Sequence, residues 1–439
     1  MFPLQSYRVG IAIVCLLIGL ISVIMPFHTE VYADDSEEFL YNDNIYYQIN
    51  NHDEIVITRS RATIEEANIP EEINGMPVTE IGVSAFQKKE RLKSVSLPAS
   101  VHTIGDYAFY QCRALETIEI PETVTYIGTK SFKETLWMKN QPEGCVILGN
   151  NIVVGFQGST LEAVIPDGTT AIAGGAFENC TEIMSVQIPE TVRNIGGLAF
   201  SGCRKLTECR IPDGVETLGE YAFNWCAALQ KIDIADSVTS IGNHAFVGCT
   251  GLIQVDLPRN ISRIETAVFQ GCSSLSKIHL PSSVREIGNE AFYGCISLTE
   301  FSVRSTVISI GTDAFRNCSS LYKVSVYNED CKIADSSGTI DTNAVIYGLR
   351  ESTAQIYAQS YERQFVVIPY LAGDINGDTY VDISDATQVL AIYASMGSGT
   401  MHEPSEYEQF AGDINEDNSL DIADATEILR IYAENGAGM

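Results

Sequence analysis

From about residue 76 onward, the apolar positions of the chain recur with a fixed period, so that equivalent residues stand at every twenty-third position. Each period contains a short run of alternating apolar and polar residues, such as Leu252 to Leu257, and most copies place a proline after it. A second block, Ile-Gly-x-x-Ala-Phe, follows in each period. The alternation predicts a strand with one buried face. Because so short a unit cannot bury that face alone, the pattern predicts stacked turns with parallel strands and one shared core.

The phenylalanine of the second block sets the register of the repeat. Its positions are one period apart except for a longer step, of almost two periods, after the third member, and they are Phe86, Phe109, Phe132, Phe177, Phe200, Phe223, Phe246, Phe269, Phe292 and Phe315. The longer step contains Trp137 and the apolar segment 144–155. We expect a hairpin there, inserted at about residues 133–160 in place of a regular turn.

The C-terminus has a different apolar pattern, which is present in two copies with the same offset at every matched position. Each copy places four apolar residues at helical spacing, and these are Ala386, Val389, Leu390 and Tyr393, then Ala425, Ile428, Leu429 and Tyr432. The spacing predicts two amphipathic helices. A module of this size has little other core, so part of each stripe should pack helix against helix, and the rest can face a partner. We expect residues 395–410 to be a linker between the copies.

An acidic block precedes each helix and places oxygen side chains at loop positions 1, 3, 5, 9 and 12, the spacing of a calcium loop. The expected ligands of two Ca²⁺ ions are Asp374, Asn376, Asp378, the Tyr380 carbonyl, Asp382 and Asp385, then Asp413, Asn415, Asp417, the Ser419 carbonyl, Asp421 and Asp424. Oxygen ligands without Cys or His favour calcium over transition metals. Position 12 is Asp rather than the Glu of an EF-hand, and Asp reaches less far.

The formal charge of −30 argues against non-specific binding to nucleic acid. Residues 372–439 hold 14 acidic residues and one arginine. Bound cations would have to neutralise the excess negative charge of this segment. Residues 1–33 are typical of a signal peptide, with Arg8, an apolar run and a Val-Tyr-Ala end, although an uncleaved membrane anchor is the alternative. The mature chain is therefore expected to be secreted, extracellular and free of the membrane.

Twelve cysteines in a secreted chain suggest disulfides. Eight of them, however, follow a repeat phenylalanine by three residues, and these are Cys112, Cys180, Cys203, Cys226, Cys249, Cys272, Cys295 and Cys318. Side chains that leave successive turns in parallel make poor disulfide geometry. We therefore expect a ladder of buried thiols rather than disulfides or zinc.

The outward positions of the repeat strands are the expected recognition surface, and the candidate residues there are Glu208, Arg210, Lys231, Asp233, Asp256 and His279. The strand face is polar and lacks aromatic residues, so direct sugar binding there is weakly supported. Asp233 and Asp256 could form a carboxylate pair for hydrolysis. Ordinary solvated charges explain them better, and no catalytic motif is present in the sequence.

The Leu-x-x-Val-x-Ile-Pro and Ile-Gly-x-x-Ala-Phe-x-x-Cys unit resembles the BspA-like leucine-rich repeats of bacterial surface and secreted proteins, over roughly residues 65 to 335. This resemblance implies a mainly β and irregular solenoid. We expect an N-terminal cap rich in strands over residues 34–75, repeats over 76–335, and a C-terminal cap with one helix over 336–370.

The two acidic loops with their helices resemble a type I dockerin module over residues 372–439, which implies a small α-helical domain. In that family the module binds a cohesin module on a cellulosomal scaffoldin. The resemblance assigns cohesin contacts to loop positions 10 and 11 and to the outer helix face, which here are Ile383, Ser384, Leu390, Ala391, Ile422, Ala423, Leu429 and Arg430.

Together these resemblances imply a non-catalytic secreted protein of polysaccharide degradation. It would attach to a scaffoldin through calcium-dependent docking, while the solenoid recognises an unidentified protein, cell-surface or glycan target. Three alternatives remain. They are an enzyme of unrecognised carbohydrate-active or proteolytic type on the solenoid, a surface adhesin, and a calcium site that only stabilises a terminal domain.

Overall fold

The computed structural model describes residues 38–281, 283–368, 373–375, 381–398, 404, 406–415, 417 and 419–436. The expected signal peptide lies outside these residues. Among the helices that are described, none has the length and apolar character needed to cross a membrane.

The chain begins with an antiparallel meander of three strands, Phe39–Tyr41, Ile45–Ile49 and Ile55–Ser60. The third strand then pairs in parallel with Met76–Ile81, which also pairs with the short strand Glu72–Ile73. The meander thus covers one end of the stacked turns. Strands are therefore present in the segment for which a cap rich in strands is expected.

Two rows of parallel strands run along the solenoid, so the predicted parallel stacking is confirmed. The first row forms sheets of three, six and four strands, which are Glu66–Asn68, Ser94–Ser96, Thr117–Glu119; Glu162–Val164, Ser185–Gln187, Glu208–Ile211, Lys231–Ile234, Gln254–Asp256, Lys277–Ile278; Glu300–Val303, Lys323–Val326, Val345–Gly348 and Phe365–Val367. The second row has two residues per strand, namely Thr103–Ile104, Tyr126–Ile127, Ala171–Ile172, Asn194–Ile195, Thr217–Leu218, Ser240–Ile241, Arg263–Ile264, Glu286–Ile287, Ser309–Ile310 and Lys332–Ile333.

The longer step of the repeat contains the predicted hairpin, formed by Gly144–Leu148 and Ile152–Gln157. A short helix that was not predicted, α1 (Leu136–Lys139), precedes it, and the Thr135 hydroxyl accepts a hydrogen bond from the Met138 amide at 3.1 Å. Four residues are too few to show helical periodicity in a sequence. The buried apolar residues form one cluster on each side of this insert.

The repeat phenylalanines are fully buried and stack on one another from turn to turn. Their ring centroids are 5.0 to 5.6 Å apart on successive turns, and the rings lie within 18° of parallel. At the insert, Phe156 of the hairpin replaces a repeat residue and stacks on Phe177 at 5.1 Å. The turns therefore share one aromatic column on each side of the insert.

Seven of the eight repeat cysteines are buried beside this column, and all of the cysteines that the structure describes are free thiols. Each buried thiol donates a hydrogen bond to the carbonyl of the phenylalanine on the preceding turn, with Sγ–O distances of 2.8 to 3.2 Å. The predicted ladder of thiols is thus present. Cys180 departs from it and is only partly buried, because the hairpin replaces the turn against which it would pack.

Native alkylation should distinguish the cysteines. Burial raises the pKa of Cys249 to about 12, whereas the partly exposed Cys145 and Cys180 have pKa values raised by burial to about 11. Because the thiolate is the reactive species, we expect iodoacetamide to label only Cys145 and Cys180 among the cysteines of residues 38–368 in the native chain, faster at pH 10 than at pH 8. Peptide mapping by mass spectrometry, with a urea-unfolded control, measures this. Labelling of Cys249 in the native chain would contradict it.

Helix α2 (Thr353–Ser360) lies in the segment expected to cap the solenoid with one helix. Farther along the chain, α3 (Ile383–Ser398) and α5 (Ile422–Gly436) pack against each other, and α4 (Glu406–Gly412) lies between them in sequence. The expected linker is therefore wrong in part, since α3 continues to Ser398 and α4 occupies its last residues. The core of this region is formed by Ile375, Ala386, Val389, Ile392, Leu420, Ala425 and Ile428.

Candidate functional site

The second acidic loop is organised by Asp424, at the start of α5. Its side chain is fully buried, and Oδ1 accepts hydrogen bonds from the amides of Ile414 and Asn415 at 3.0 and 3.3 Å. Oδ2 accepts from the Asp421 amide at 3.1 Å. Burial raises the pKa of Asp424, and these backbone bonds partly oppose that effect. One carboxylate thus joins the beginning and the end of the loop.

The other acids of this loop turn toward the same centre. Asp413 and Asn415 accept hydrogen bonds from the Asp417 amide at 3.1 and 2.9 Å, and Asp417 accepts one from the Ser419 amide at 2.9 Å. Carboxylate oxygens of Asp413, Asp417 and Asp424 all lie within 4.8 Å of one another. The structure therefore brings together three of the six expected ligands, and the Asp421 carboxylate, which accepts from the Ala423 amide at 2.7 Å, lies at position 9.

The first loop repeats the same hydrogen bonds at the matching positions. Asp385 is fully buried and accepts from the amides of Ile375 and Asp382, both at 2.9 Å, while Asp382 accepts from the Ser384 amide at 2.6 Å. Asp374 is also buried. Three further expected ligands, Asn376, Asp378 and Tyr380, lie outside the described residues. The two loops are thus duplicates in the bonds that close them as well as in sequence.

The chemistry of this donor set suits a hard divalent cation. Carboxylates held this close repel one another unless positive charge lies between them. Arg430 is the single lysine or arginine of 372–439, and its guanidinium donates a hydrogen bond to the Glu427 carboxylate at 2.9 Å. A cluster of carboxylate, amide and carbonyl oxygens is what Ca²⁺ prefers. The residues present therefore fit calcium.

Helices α3 and α5 expose matching apolar side chains, which we call the docking face: Ile383, Leu390, Tyr393, Ile422, Leu429 and Tyr432. Leu390 and Leu429 are each 41% exposed, and Ile383 and Ile422 are 57% and 59% exposed. The polar or small candidates beside them, namely Ser384, Ala391, Ala423 and Arg430, are exposed as well.

The sequence did not assign Tyr393 and Tyr432 to this face. Both belong to the apolar stripe, but the structure buries the neighbouring Ile392 instead of Tyr393. Their position one turn after Leu390 and Leu429 was the signal that could have identified them.

The candidate residues on the solenoid strands are all exposed on one sheet face. Asp233 and Asp256 are register partners on adjacent strands, and Lys231 Nζ lies 2.8 Å from the Asp233 carboxylate. Arg210 pairs with Glu190 at 2.8 Å. Glu208 pairs in register with Lys231, and His279 directly follows a strand. The carboxylate pair thus lies among exposed ion pairs, which screen its charge.

Comparison with protein families identifies the solenoid. The profile described as the BspA type leucine rich repeat region matches in six copies, over residues 58–151, 154–255 and 239–337, which is more than half of the chain. A search of curated proteins finds no match.

Several solved structures are similar to parts of the chain. A leucine-rich repeat protein from Bacteroides ovatus is 24% identical, with a TM-score of 0.34, over 75% of this chain and 100% of its own. A leucine rich cell surface protein from Faecalibacterium prausnitzii is 23% identical, with a TM-score of 0.30, over 70% and 97%. The pneumococcal vaccine antigen PcpA is 16% identical, with a TM-score of 0.33, over 76% and 99%.

Proposed function

The chain belongs to the family of BspA-type leucine-rich repeat proteins, and from this premise we propose that it is a secreted, non-catalytic binding protein with a calcium-dependent docking module at its C-terminus. In this proposal, residues 372–439 bind a cohesin module of a scaffoldin, and the solenoid recognises the target. The observation that carries the proposal is the duplicated loop before an exposed apolar helix face. In both copies a buried aspartate accepts the same amide hydrogen bonds, and in the second copy three carboxylates have oxygens within 4.8 Å of one another.

Calcium and docking are linked through the loop aspartates. Asp385 and Asp424 each lie in the first turn of a helix that carries the docking face, and each accepts amide hydrogen bonds from its own loop. An ion held by these carboxylates would fix the start of α3 and of α5. Because a preformed site rarely exists in an unfolded chain, calcium binding then stabilises the helices whose faces bind the partner.

The docking face suits a partner with an apolar surface. The six apolar side chains of the docking face stay partly exposed in a module that is otherwise strongly acidic. Exposed apolar residues grouped in this way mark sites of protein association. The matching exposure of Leu390 and Leu429 means that the two helices present nearly equivalent surfaces.

Calorimetry with a panel of cohesin modules tests the proposal, using residues 34–439 and a chain that ends at Ile368. We expect saturable binding by the longer chain in calcium, no binding in chelator, and no binding by the shorter chain. The double variant Leu390→Ala, Leu429→Ala should bind at least about tenfold more weakly, since apolar anchors dominate such interfaces. Ile356→Ala, an exposed apolar residue of α2, is the matched control and should bind normally. If no cohesin binds in calcium, the docking proposal fails.

A further inference from the structure

One edge of the solenoid has no charged side chain of its own on four successive turns, and the Glu290 carboxylate reaches its border, where it accepts a hydrogen bond from Gln270 at 2.6 Å. On four successive turns, the five residues that follow the repeat phenylalanine contain no acidic or basic side chain, and we call these residues the neutral edge: 224–228, 247–251, 270–274 and 293–297. The turns on either side do carry charge there, with Arg204 and Lys205 before and Arg316 after. Because 19% of the residues in the chain are charged, four successive segments without a charged residue set this edge apart from the turns on either side.

Backbone hydrogen bonds join the four turns of the neutral edge into a continuous surface. The Trp225 amide donates to the Val247 carbonyl at 2.7 Å, the Gly248 amide to Gln270 at 2.8 Å, and the Gly271 amide to Tyr293 at 2.7 Å. Each of these donors has a positive φ, between 58° and 71°. Glycine takes this conformation readily, whereas tryptophan does so at some cost.

Trp225 is therefore unlike Gly248 and Gly271, because it has a side chain at a position with positive φ. That side chain is 55% exposed. A Cβ placed on Gly248 would lie 3.0 to 3.3 Å from three atoms of the indole six-membered ring. The ring thus lies flat against the backbone of the next turn, which holds it in place. The same position on the preceding turn is Gly202, which has no side chain to cover the opposite ring face.

Other aromatic and polar groups lie on the same two turns. Tyr221 and His244 stack with centroids 4.5 Å apart and planes 11° apart. Asn224 Oδ1 and His244 Nδ1 are buried without a hydrogen-bond partner among the described residues, where only Gln409 Nε2 shares that state. Unpartnered buried polar atoms are rare in folded proteins. Both atoms are enclosed by the protein, so the exposed indole of Trp225, and not these two atoms, is the group that an external ligand can contact.

We propose that Trp225 and the neutral edge bind a neutral, extended polysaccharide chain, with the indole stacked on one sugar ring. A flat exposed aromatic ring suits the apolar face of a pyranose. The neutral edge has no lysine or arginine side chains to pair with the phosphates of a nucleic acid or with the anionic groups of a charged polymer. On these turns the centroids of the buried Phe223, Phe246 and Phe269 rings are 5.5 and 5.6 Å apart, a spacing close to the length of one extended sugar unit.

The spacing also argues against an extended peptide. A strand advances by about 3.3 Å per residue, so neither one nor two residues match one turn of the solenoid. Beyond the indole, Gly248, Gly271 and Gly294 leave a floor without side chains, where a Cβ on Gly271 or Gly294 would meet only the preceding glycine at 3.8 Å. On the same segments, the Thr250 and Ser273 hydroxyls donate hydrogen bonds to the Ala227 and Thr250 carbonyls at 3.3 and 3.4 Å.

This inference deepens the proposed function, because it names a ligand class for the solenoid, and it rests on that proposal only in treating the solenoid as the recognition domain.

The chain has two tryptophans, so Trp137→Phe leaves Trp225 as the single indole probe. We expect cellohexaose, xylohexaose or mannohexaose to shift its emission saturably and to protect it from acrylamide. The experiment contains no cohesin, so its failure leaves the docking proposal standing, and the reverse also holds.

The deciding variant is Trp225→Gly, which removes the indole and introduces the residue that neighbouring turns already carry at this positive φ. By calorimetry, we expect the best of the three sugars to bind at least about tenfold more weakly to this variant. Tyr322→Ala, which removes an exposed aromatic residue elsewhere, is the matched control and should bind normally. The inference is overturned if no sugar shifts the emission, if Trp225→Gly binds as tightly, or if an uncharged unstructured peptide produces the same response.

Discussion

Replacing Asp424 by asparagine is expected to abolish calcium binding in the second loop, and docking with it, without making the calcium-free chain less stable. The reason lies in the two roles of this side chain. It is one of three carboxylates whose oxygens lie within 4.8 Å of one another, and it accepts three backbone amide hydrogen bonds. Asparagine keeps one oxygen acceptor, but it loses the negative charge and places an NH2 group where the second oxygen accepted an amide hydrogen bond. In the calcium-free chain, the relieved repulsion between carboxylates offsets the cost of that lost bond.

The two roles predict that the substitution has opposite effects on the stability of the module without calcium and with calcium. Without calcium, a buried carboxylate beside Asp413 and Asp417 is unfavourable, so removing its charge relieves repulsion. With calcium, the same substitution removes a charged ligand, and we expect affinity to fall by about a hundredfold or more. A ligand present at a thousand times its Kd stabilises a fold by about 4.1 kcal/mol, and most of that stabilisation would be lost.

Thermal unfolding of the full chain, followed by circular dichroism with and without calcium, measures both effects. Calcium should raise the melting temperature of the helical module in the parent chain and have little effect in Asp424→Asn. Glu427→Gln, a partly buried acid one turn later on α5, is the matched control and should respond to calcium as the parent does. A calcium response in Asp424→Asn equal to that of the parent would exclude the ligand role.

The solenoid could be predicted from the sequence because its signal is repeated many times. A constant period places each strand, each buried phenylalanine and each thiol at one register position, and stacking permits few other arrangements. The departures occur where the repetition fails. Cys180 is only partly buried because the hairpin replaces the turn against which it would pack. Helices α1 and α4 are too short for their sequences to show a helical period.

The two surfaces were harder to predict, each for its own physical reason. Helical spacing shows that α3 has an apolar stripe, but it does not tell which part packs on α5, so Ile392 and Tyr393 could not be separated. In the solenoid, the alternation of apolar and polar residues shows which strand side chains point outward, but it gives no information on the turns. The expected recognition surface was therefore the outer face of the strands. Trp225 lies instead at a turn position with positive φ, a conformation that sequence patterns rarely assign to tryptophan.

Phe246→Ala tests whether the aromatic column holds the solenoid together, and we expect it to lower the free energy of unfolding by about 3–5 kcal/mol. The ring is fully buried, and its centroid lies 5.5 and 5.6 Å from those of Phe223 and Phe269. Removing it leaves a cavity between two turns that meet few other parts of the chain. Because each repeat is stabilised mainly by its two neighbours, such a gap weakens the coupling across it.

A comparison of positions isolates that coupling. Phe86 is equally buried but begins the column, where it stacks on Phe109 alone. Both substitutions to alanine lose the same transfer free energy, so Phe246→Ala should cost more by roughly the value of one aromatic pair, about 0.5–1.5 kcal/mol. Phe246→Leu fills most of the space but loses both aromatic pairs, so it should cost about 1–3 kcal/mol, less than Phe246→Ala. Urea unfolding of the three variants measures the order. Equal losses for Phe246→Ala and Phe86→Ala would mean that each turn is stabilised by its own burial and that the stack adds nothing beyond it.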